Sequence, residues 1–217
     1  MKQDEELATQ RELYMRADFH GARVLEVGCG NGRVTAMYAD DTATTVGLEP
    51  DHAAALQAVR HVPKSRFAQA SGENLPVLSG GFDIVLFTLS LHHHPGPERA
   101  LKEAARVTAP GGRILALEPA PEGEVQRLCN IFSNEDSELQ NTQRALEACG
   151  LSVLSSGLFS TEWVFRDFHE VVEYAFSYYD HPQDEAKLSE MRRFLESKVN
   201  DAPLRLTDTL RLTSLAV

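Results

Sequence analysis

Three glycines at alternate positions, Gly28, Gly30 and Gly32, are the residues of this sequence best suited to receive a ligand. They follow an apolar segment that is predicted to be a strand, and Glu26 lies two positions before the first of them. A second carboxylate, Glu49, follows the next apolar segment. Glycines at the end of a strand let the backbone approach a ligand closely, and an acid at the end of the next strand can accept hydrogen bonds from a ribose. The spacing therefore predicts a site for a ligand with an unphosphorylated ribose, and the alternative is a tight turn that binds no ligand.

The order of the glycines differs from the dinucleotide fingerprint G-x-G-x-x-G. Arg33 stands where the third glycine of that fingerprint is expected, and Gly32 comes one position earlier. In the fingerprint, the third glycine lets the helix lie close to the strand beneath a pyrophosphate. The loop is better suited to a compact ligand without a phosphate. A nicotinamide-dependent oxidoreductase is an alternative that NAD binding would test.

Strand-like and helix-like segments alternate on both sides of the glycines. Strands are predicted within 21–30, 42–51, 65–70, 81–89 and 109–119, and helices within 4–17, 31–40, 52–60 and 95–107. This alternation predicts βαβ units and a parallel sheet with helices on both faces. The carboxyl ends of parallel strands then lie at one edge of the sheet, where ligands bind in such folds.

The second half of the chain shows a looser pattern. Helices are predicted within 122–132 and 138–149, a sixth strand over 151–165, two helices within 166–180 and 182–199, and a last strand over 204–217. The pattern therefore predicts two helices inserted between the last two strands.

Composition and charge exclude several classes of protein. The net charge is −11, with 14 acidic and 12 basic residues in 1–117 and 18 and 9 in 118–217. A nucleic-acid surface is not expected, because phosphate binding needs clustered Lys and Arg. Three widely spaced cysteines fit neither a disulfide framework nor a zinc site. The sequence begins without a signal-like apolar segment and contains no membrane-length apolar run, so we expect a cytoplasmic protein with no membrane partner.

Four segments carry a family resemblance. VLEVGCGNGR, GLEPD, ENLPVLSGGFDIVLFTLSLHHHP and ALKEAARVTAPGGRILALEP follow one another in the order seen in class I S-adenosylmethionine (SAM)-dependent methyltransferases. Over residues 21–119, the sequence most resembles the small-molecule subgroup called methyltransferase type 11. The resemblance implies a Rossmann-like α/β fold with a seven-stranded, mostly parallel sheet and an antiparallel last strand.

The same resemblance implies one methyltransferase domain over 1–217. Residues 1–20 would form an N-terminal helix, 21–119 the cofactor-binding half, and 120–217 the rest of the sheet with a helical insertion at about 167–199. The implied activity is methyl transfer from SAM to a small molecule by in-line displacement, with S-adenosylhomocysteine (SAH) as product. A non-catalytic SAM-binding or regulatory protein on this fold is the alternative.

The resemblance also implies which residues bind the cofactor. The glycine loop would pack against the methionine part, with Cys29 as a small packing residue and Glu26 beneath the loop. Glu49 would hold the ribose, and Pro50 would flank the adenine. Family members usually have aspartate where Ser71 stands. The remaining implied contacts are Ser71, Gly72 and Glu73 at the adenine edge, and Thr88 and Leu89 at the methionine end and the substrate.

Three consecutive histidines, His92, His93 and His94, follow the fourth predicted strand. No metal site is predicted, because adjacent side chains in an extended segment point to opposite faces. Histidine titrates near neutral pH, so one of them can act as a base, and His93 is the candidate catalytic residue. The alternative is that all three are ordinary loop residues. Glu118, after the fifth strand, either faces the ligand edge or caps a neighbouring element.

The predicted helical insertion and the strand before it are rich in aromatic residues. They contain Trp163, Phe165, Phe168, Tyr174, Phe176, Tyr178 and Tyr179. These side chains can line an apolar pocket or form the core between the helices and the sheet. The tyrosine pair at 178 and 179 is the better candidate for a pocket wall, because tyrosine carries a polar end.

Overall fold

The computed structural model describes residues 1–217, which form eight strands and seven α-helices. The strands are β1 (Lys2–Gln3), β2 (Arg23–Val27), β3 (Thr44–Leu48), β4 (Arg66–Ala68), β5 (Phe82–Thr88), β6 (Thr108–Pro119), β7 (Ser152–Phe165) and β8 (Leu204–Ala216). The α-helices are α1 (Ala8–Arg16), α2 (His52–His61), α3 (Pro97–Val107), α4 (Glu124–Cys129), α5 (Asp136–Ala148), α6 (Phe168–Tyr178) and α7 (Glu185–Leu195). Short 3-10 helices cover Thr35–Met37, Ala39–Asp41, Leu91–His93 and Glu196–Asn200.

One sheet contains all eight strands in the order β1-β7-β8-β6-β5-β2-β3-β4. The pairs β2–β3, β2–β5, β3–β4 and β5–β6 are parallel. The last strand, β8, is antiparallel to β6: the N–H of Gly111 donates to the carbonyl of Val217, and that of Ala120 to the carbonyl of Thr209, both at 2.9 Å. The predicted class I methyltransferase fold is confirmed, with one more strand than expected. The extra strand, β1, pairs two residues with β7 and is too short to give a sequence pattern.

Two predicted helices differ from the structure. The N-terminal helix was expected over 4–17 but begins at Ala8, since Asp4 and Leu7 have φ angles of 50° and 55°. The Asp4 carboxylate accepts hydrogen bonds from the N–H groups of Ala8 and Thr9 at 2.7 and 2.9 Å. An α-helix predicted within 31–40 is wrong, because 3-10 turns occupy this segment.

The chain divides into two compact units. The larger unit contains Gln10–Glu118, Glu138–Gly157 and Arg211–Val217, and the smaller unit contains Met1–Thr9, Pro119–Ser137 and Leu158–Leu210. Each has its own hydrophobic core of buried residues. The core of the larger unit includes Leu25, Val27, Val85, Phe87, Leu101 and Ile114, and that of the smaller unit includes Phe165, Val171, Met191, Leu195, Leu204 and Leu206.

The α-helices are short. The longest, α5, has 13 residues. None of the helices combines the length and the apolar character needed to cross a membrane.

Candidate functional site

The glycine loop follows β2 and is packed on one side and open on the other. Gly28, Gly30 and Gly32 have φ angles of 73°, 53° and 80°, in the left-handed region that favours glycine. A Cβ atom on Gly28 would lie 2.3 Å from Cβ of Ser90, whereas a Cβ atom on Gly30 would meet no heavy atom within 4 Å. The middle of the loop therefore offers its backbone to an approaching ligand.

Glu49 follows β3 and is hydrogen-bonded to the glycine loop. The N–H of Gly30 donates to Oε2 of Glu49 at 2.8 Å, and the N–H of Asp51 donates to Oε1 at 3.0 Å. Both donors are backbone groups, so the position of this half-buried carboxylate is fixed by the main chain. A carboxylate has about four acceptor sites, so two bonds leave capacity for ligand hydroxyls.

Glu26 lies in β2 beneath the loop and is fully buried. Oε2 accepts hydrogen bonds from the hydroxyls of Thr35, at 2.5 Å, and Tyr38, and Oε1 accepts one from Thr88 at 2.6 Å. Burial raises the pKa of Glu26 above its ordinary value, although the three hydroxyls oppose the shift. The side chain therefore joins β2, the segment after the loop, and the end of β5.

The 3-10 turns after the loop explain how two hydroxyls reach one carboxylate. The N–H of Tyr38 donates to the carbonyl of Thr35 at 3.2 Å, an i to i+3 bond. Tyr38 follows the 3-10 helix Thr35–Met37 directly, and the hydroxyls of Thr35 and Tyr38 both reach Oε2 of Glu26. The 3-10 turns, which replace the predicted α-helix, thus carry two of the three hydroxyls that are hydrogen-bonded to Glu26.

The end of β5 turns sharply after Thr88. Leu89 has a φ of 54°, a conformation that is uncommon for a bulky residue, and its N–H donates to the carbonyl of Leu117 at 2.7 Å. The hydroxyl of Ser90 donates to the carbonyl of Val27 at 2.6 Å. Thr88 and Leu89 therefore lie beside the glycine loop, at the carboxyl edge of the sheet where the sequence predicted them.

The segment predicted to meet adenine follows β4. Ser71 is exposed, and Gly72 is buried so tightly that a Cβ atom there would lie 2.3 Å from Nε2 of His94. Oε1 of Glu73 accepts a hydrogen bond from the N–H of Gly96 at 2.8 Å, just before α3. Pro50 is exposed beside β3. Close packing against His94 and Val27 favours glycine at position 72, whereas the neighbouring Ser71 side chain is exposed.

The three histidines occupy different environments. The side chain of His92 is 1% exposed and contacts Glu118 through Nδ1. Nδ1 of His94 is 2.9 Å from the carbonyl oxygen of Ser90. His93 is exposed, with its ring centroid 3.9 Å from that of His92. His93 is thus the most accessible of the three, and its assignment as a base stays a prediction.

Cys29 lies inside the glycine loop and is buried. Burial raises the pKa of its thiol well above the usual range. Its Sγ would lie 2.8 Å from a Cβ atom on Gly47, so the sulfur fills the space beside β3. These observations support a packing role for Cys29 and argue against a nucleophile.

The smaller unit contains the aromatic residues singled out in the sequence. Phe165, Phe168 and Phe176 are buried in its core, and Trp163 and Tyr174 pack against that core. Tyr179 stacks on Phe132 with ring centroids 5.1 Å apart, and Tyr178 is 64% exposed. Most of these side chains therefore form core, and the tyrosine pair lies at its margin.

Sequence reasoning missed part of the larger unit's network. Thr35, Tyr38 and Ser90 were not predicted to matter, yet each forms a hydrogen bond to β2 or to the residue that supports the loop. The i to i+3 spacing of Thr35 and Tyr38 was the only available signal, and it has meaning only for a 3-10 helix.

Comparisons with known proteins find similarity to methyltransferases. A family model described as a methyltransferase domain matches residues 25–116. A phthiotriol/phenolphthiotriol dimycocerosates methyltransferase of Mycobacterium leprae is 30% identical over 67% of this chain and 56% of that protein. A fatty-acid O-methyltransferase of Mycolicibacterium smegmatis is 32% identical over 51% of this chain and 42% of that protein. The chain spans about half the length of the curated relatives it matches.

The fold also matches solved structures. Protein BH2331 of Bacillus halodurans superposes with a TM-score of 0.70 over 97% of each chain, at 20% identity. YcgJ of Bacillus subtilis superposes with a TM-score of 0.67 over 96% of this chain and 97% of its own, at 17% identity. At such identities the likeness describes the fold alone.

Proposed function

Because this chain belongs to the class I SAM-dependent methyltransferases of the type 11 kind, we propose that it transfers a methyl group from SAM to a small-molecule acceptor. The observation that carries the proposal is the pairing of the open glycine loop with Glu49. The N–H of Gly30 donates to Glu49 at 2.8 Å, so the loop and the acid form one rigid edge. Such an edge fits a ligand that has a ribose but no phosphate.

The residues of this edge fit SAM. Space above Gly30 allows backbone approach to the methionine part, and the free acceptor sites of Glu49 suit the two ribose hydroxyls. Pro50 would border the adenine. The Ser71 hydroxyl would accept the hydrogen bond from the adenine amine that an aspartate accepts in other family members.

SAM, when bound, supplies a methyl group made electrophilic by its sulfonium. The main task of this chain is therefore to hold the acceptor in line with that methyl group. Thr88 and Leu89, at the end of β5, would border the reacting end and exclude water from it. For an acceptor that arrives protonated, the exposed imidazole of His93 is the candidate to accept its proton.

The names of two relatives support a small-molecule acceptor. One names phthiotriol and phenolphthiotriol dimycocerosates, and the other a fatty acid. The compounds in both names are lipids that carry oxygen atoms. A hydroxyl or carboxyl group of a lipid is therefore the acceptor class to test first.

Calorimetric titration with SAM, SAH and NAD tests the cofactor assignment. We expect binding of the first two and none of NAD. Glu49→Ala should weaken SAH binding about 10- to 100-fold, since hydrogen bonds to a charged group contribute about 1.5–3 kcal/mol. Asp40→Ala is the matched control, because Asp40 is an exposed acid paired with Lys64. Unchanged affinity in Glu49→Ala would refute the ribose assignment.

A SAM-binding protein without catalysis is the second candidate. It is favoured by the burial of His92 and Glu118 against each other, which keeps two titratable groups of this edge away from solvent. Incubation with methyl-labelled SAM and a set of fatty acids separates the two candidates. Transfer of label to any acceptor would exclude the non-catalytic one.

A further inference from the structure

Glu118, the penultimate residue of β6, is buried and is hydrogen-bonded to the turn that follows β5. Its Oε1 accepts a hydrogen bond from the N–H of Leu91 at 2.9 Å, and its Oε2 contacts Nδ1 of His92. The N–H of His92 lies 3.4 Å from the same Oε2. One carboxylate therefore caps the 3-10 helix Leu91–His93 and also fixes the orientation of an imidazole within it.

The turn held in this way is strained. Leu89 has a φ of 54°, in the left-handed region that a bulky non-glycine residue rarely adopts. It persists only where the surroundings impose it. Here β6 imposes it from two adjacent residues, because the carbonyl of Leu117 accepts from the N–H of Leu89 at 2.7 Å and Glu118 holds the helix that follows.

The same turn supports the first glycine of the loop. The Ser90 hydroxyl donates to the carbonyl of Val27 at 2.6 Å, and Gly28 lies so close to Ser90 that a Cβ atom would not fit. The position of Gly28 therefore depends on the turn that Glu118 and His92 hold. The ribose end of the site has a different support, because Glu49 is fixed by backbone N–H groups.

We propose that Glu118 and His92 are positioning residues for the end of the site that receives the methionine part of SAM, an inference that rests on the proposed function. They act through Leu89 and Ser90 and do not touch the cofactor. Their loss should therefore weaken binding of the methionine part and leave binding of the adenosine part unchanged. A general loss of structure would weaken both.

Two ligands separate these effects in calorimetric titrations. SAH contains the adenosine and the amino-acid part, whereas 5′-methylthioadenosine keeps the adenosine and the sulfur but lacks the amino-acid part. Glu118→Gln places an amide where the backbone N–H groups of Leu91 and His92 and Nδ1 of His92 now meet a carboxylate. We expect it to weaken SAH binding about tenfold and 5′-methylthioadenosine binding by less than about twofold, in line with the loss of one buried hydrogen bond.

Asp83→Asn is the matched control. Asp83 also accepts a backbone N–H, from Arg23 at 2.8 Å, and pairs with the guanidinium of that residue, but at the opposite end of β5. We expect it to change neither affinity. Equal losses for both ligands in Glu118→Gln, or no loss for SAH, would overturn the inference.

A second pair of variants decides the question if Glu118→Gln does not fold. His92→Asn keeps an N–H donor close to the place of Nδ1 and should retain the wild-type preference for SAH, whereas His92→Ala should lose it. Identical behaviour of the two would overturn the inference. Wild-type protein that binds SAH while Glu118→Gln and His92→Ala keep the wild-type preference for SAH refutes this inference alone, whereas wild-type protein that fails to bind SAH refutes the proposed function as well.

Discussion

The larger unit contains 14 Asp and Glu residues against 13 Lys and Arg, whereas the smaller unit contains 18 against 8. The contrast extends to single carboxyl groups. In the larger unit, Glu26 is sealed from solvent and bonded to neutral hydroxyls. In the smaller unit, Glu124 is partly exposed and bonded to the ammonium of Lys198 at 2.5 Å and to the N–H of Thr207 at 2.8 Å.

The two carboxyl groups have pKa values shifted in opposite directions. Burial raises the pKa of Glu26, and its hydroxyl partners do not fully compensate. Partial burial also raises the pKa of Glu124, but the hydrogen bonds from Lys198 and Thr207 outweigh it, so its pKa lies below the ordinary value. Since the residue type is the same, the charge of the partner and the access of solvent decide the sign.

The largest expected effect comes from the hydrophobic cores. It tests whether the two cores differ in their contribution to stability, as the two units differ in their acidic residues. Leu25→Ala in the larger unit and Leu206→Ala in the smaller unit each remove a fully buried side chain. We expect each to lower the free energy of unfolding by about 2–5 kcal/mol. Urea denaturation followed by circular dichroism measures both, with Leu78→Ala at an exposed position as control. A cost near zero in one unit alone would show that its core contributes little.

A smaller effect is expected from Glu26→Gln. Because the folded-state pKa of Glu26 is raised, the protonated carboxyl stabilises the fold below its unfolded-state pKa, and that stability is lost as pH rises through the folded-state pKa. The unfolding free energy of the wild type relative to Glu26→Gln should therefore fall with rising pH, by an amount on the order of 1–3 kcal/mol. Urea titrations at a series of pH values test the sign, and a difference that grows with pH would contradict it.

The smallest effect is expected from Glu124→Gln, with the opposite sign. The lowered pKa of Glu124 means that its contribution is present above its unfolded-state pKa and is lost as pH falls through the folded-state pKa. Solvent screens the pair with Lys198, so we expect at most about 1 kcal/mol, less in high salt. The contrast between the units is wrong if the unfolding free energy of the wild type relative to Glu124→Gln falls with rising pH, as it is expected to do relative to Glu26→Gln.

The sequence was sufficient for features that depend on local rules. The glycines of the loop have the positive φ angles that glycine favours, and the apolar runs formed the expected parallel strands. The helical insertion appears as α6 and α7, within the two ranges predicted for it, 166–180 and 182–199.

Other features depend on contacts between distant residues and could not be predicted. The bond from Thr88 to Glu26 joins residues 62 positions apart, and that from Ser90 to Val27 joins residues 63 apart. Residues 35–41 form 3-10 turns in place of the predicted α-helix, and the bonds from Thr35 and Tyr38 to Glu26 join residues 9 and 12 positions apart. The single-domain description of 1–217 and the assigned roles of the site residues stay predictions.

The contact between Gly28 and Ser90 limits how this loop can change in evolution. An alanine at position 28 meets two barriers, the φ of 73° and the Ser90 side chain 2.3 Å away. A prior change of Ser90 to glycine removes only the second barrier and also gives up the bond to Val27. Each single substitution is unfavourable, and the double substitution keeps the strained backbone, so we expect position 28 to change very rarely among related sequences. Gly30 has open space above it, so only its backbone conformation opposes a substitution there.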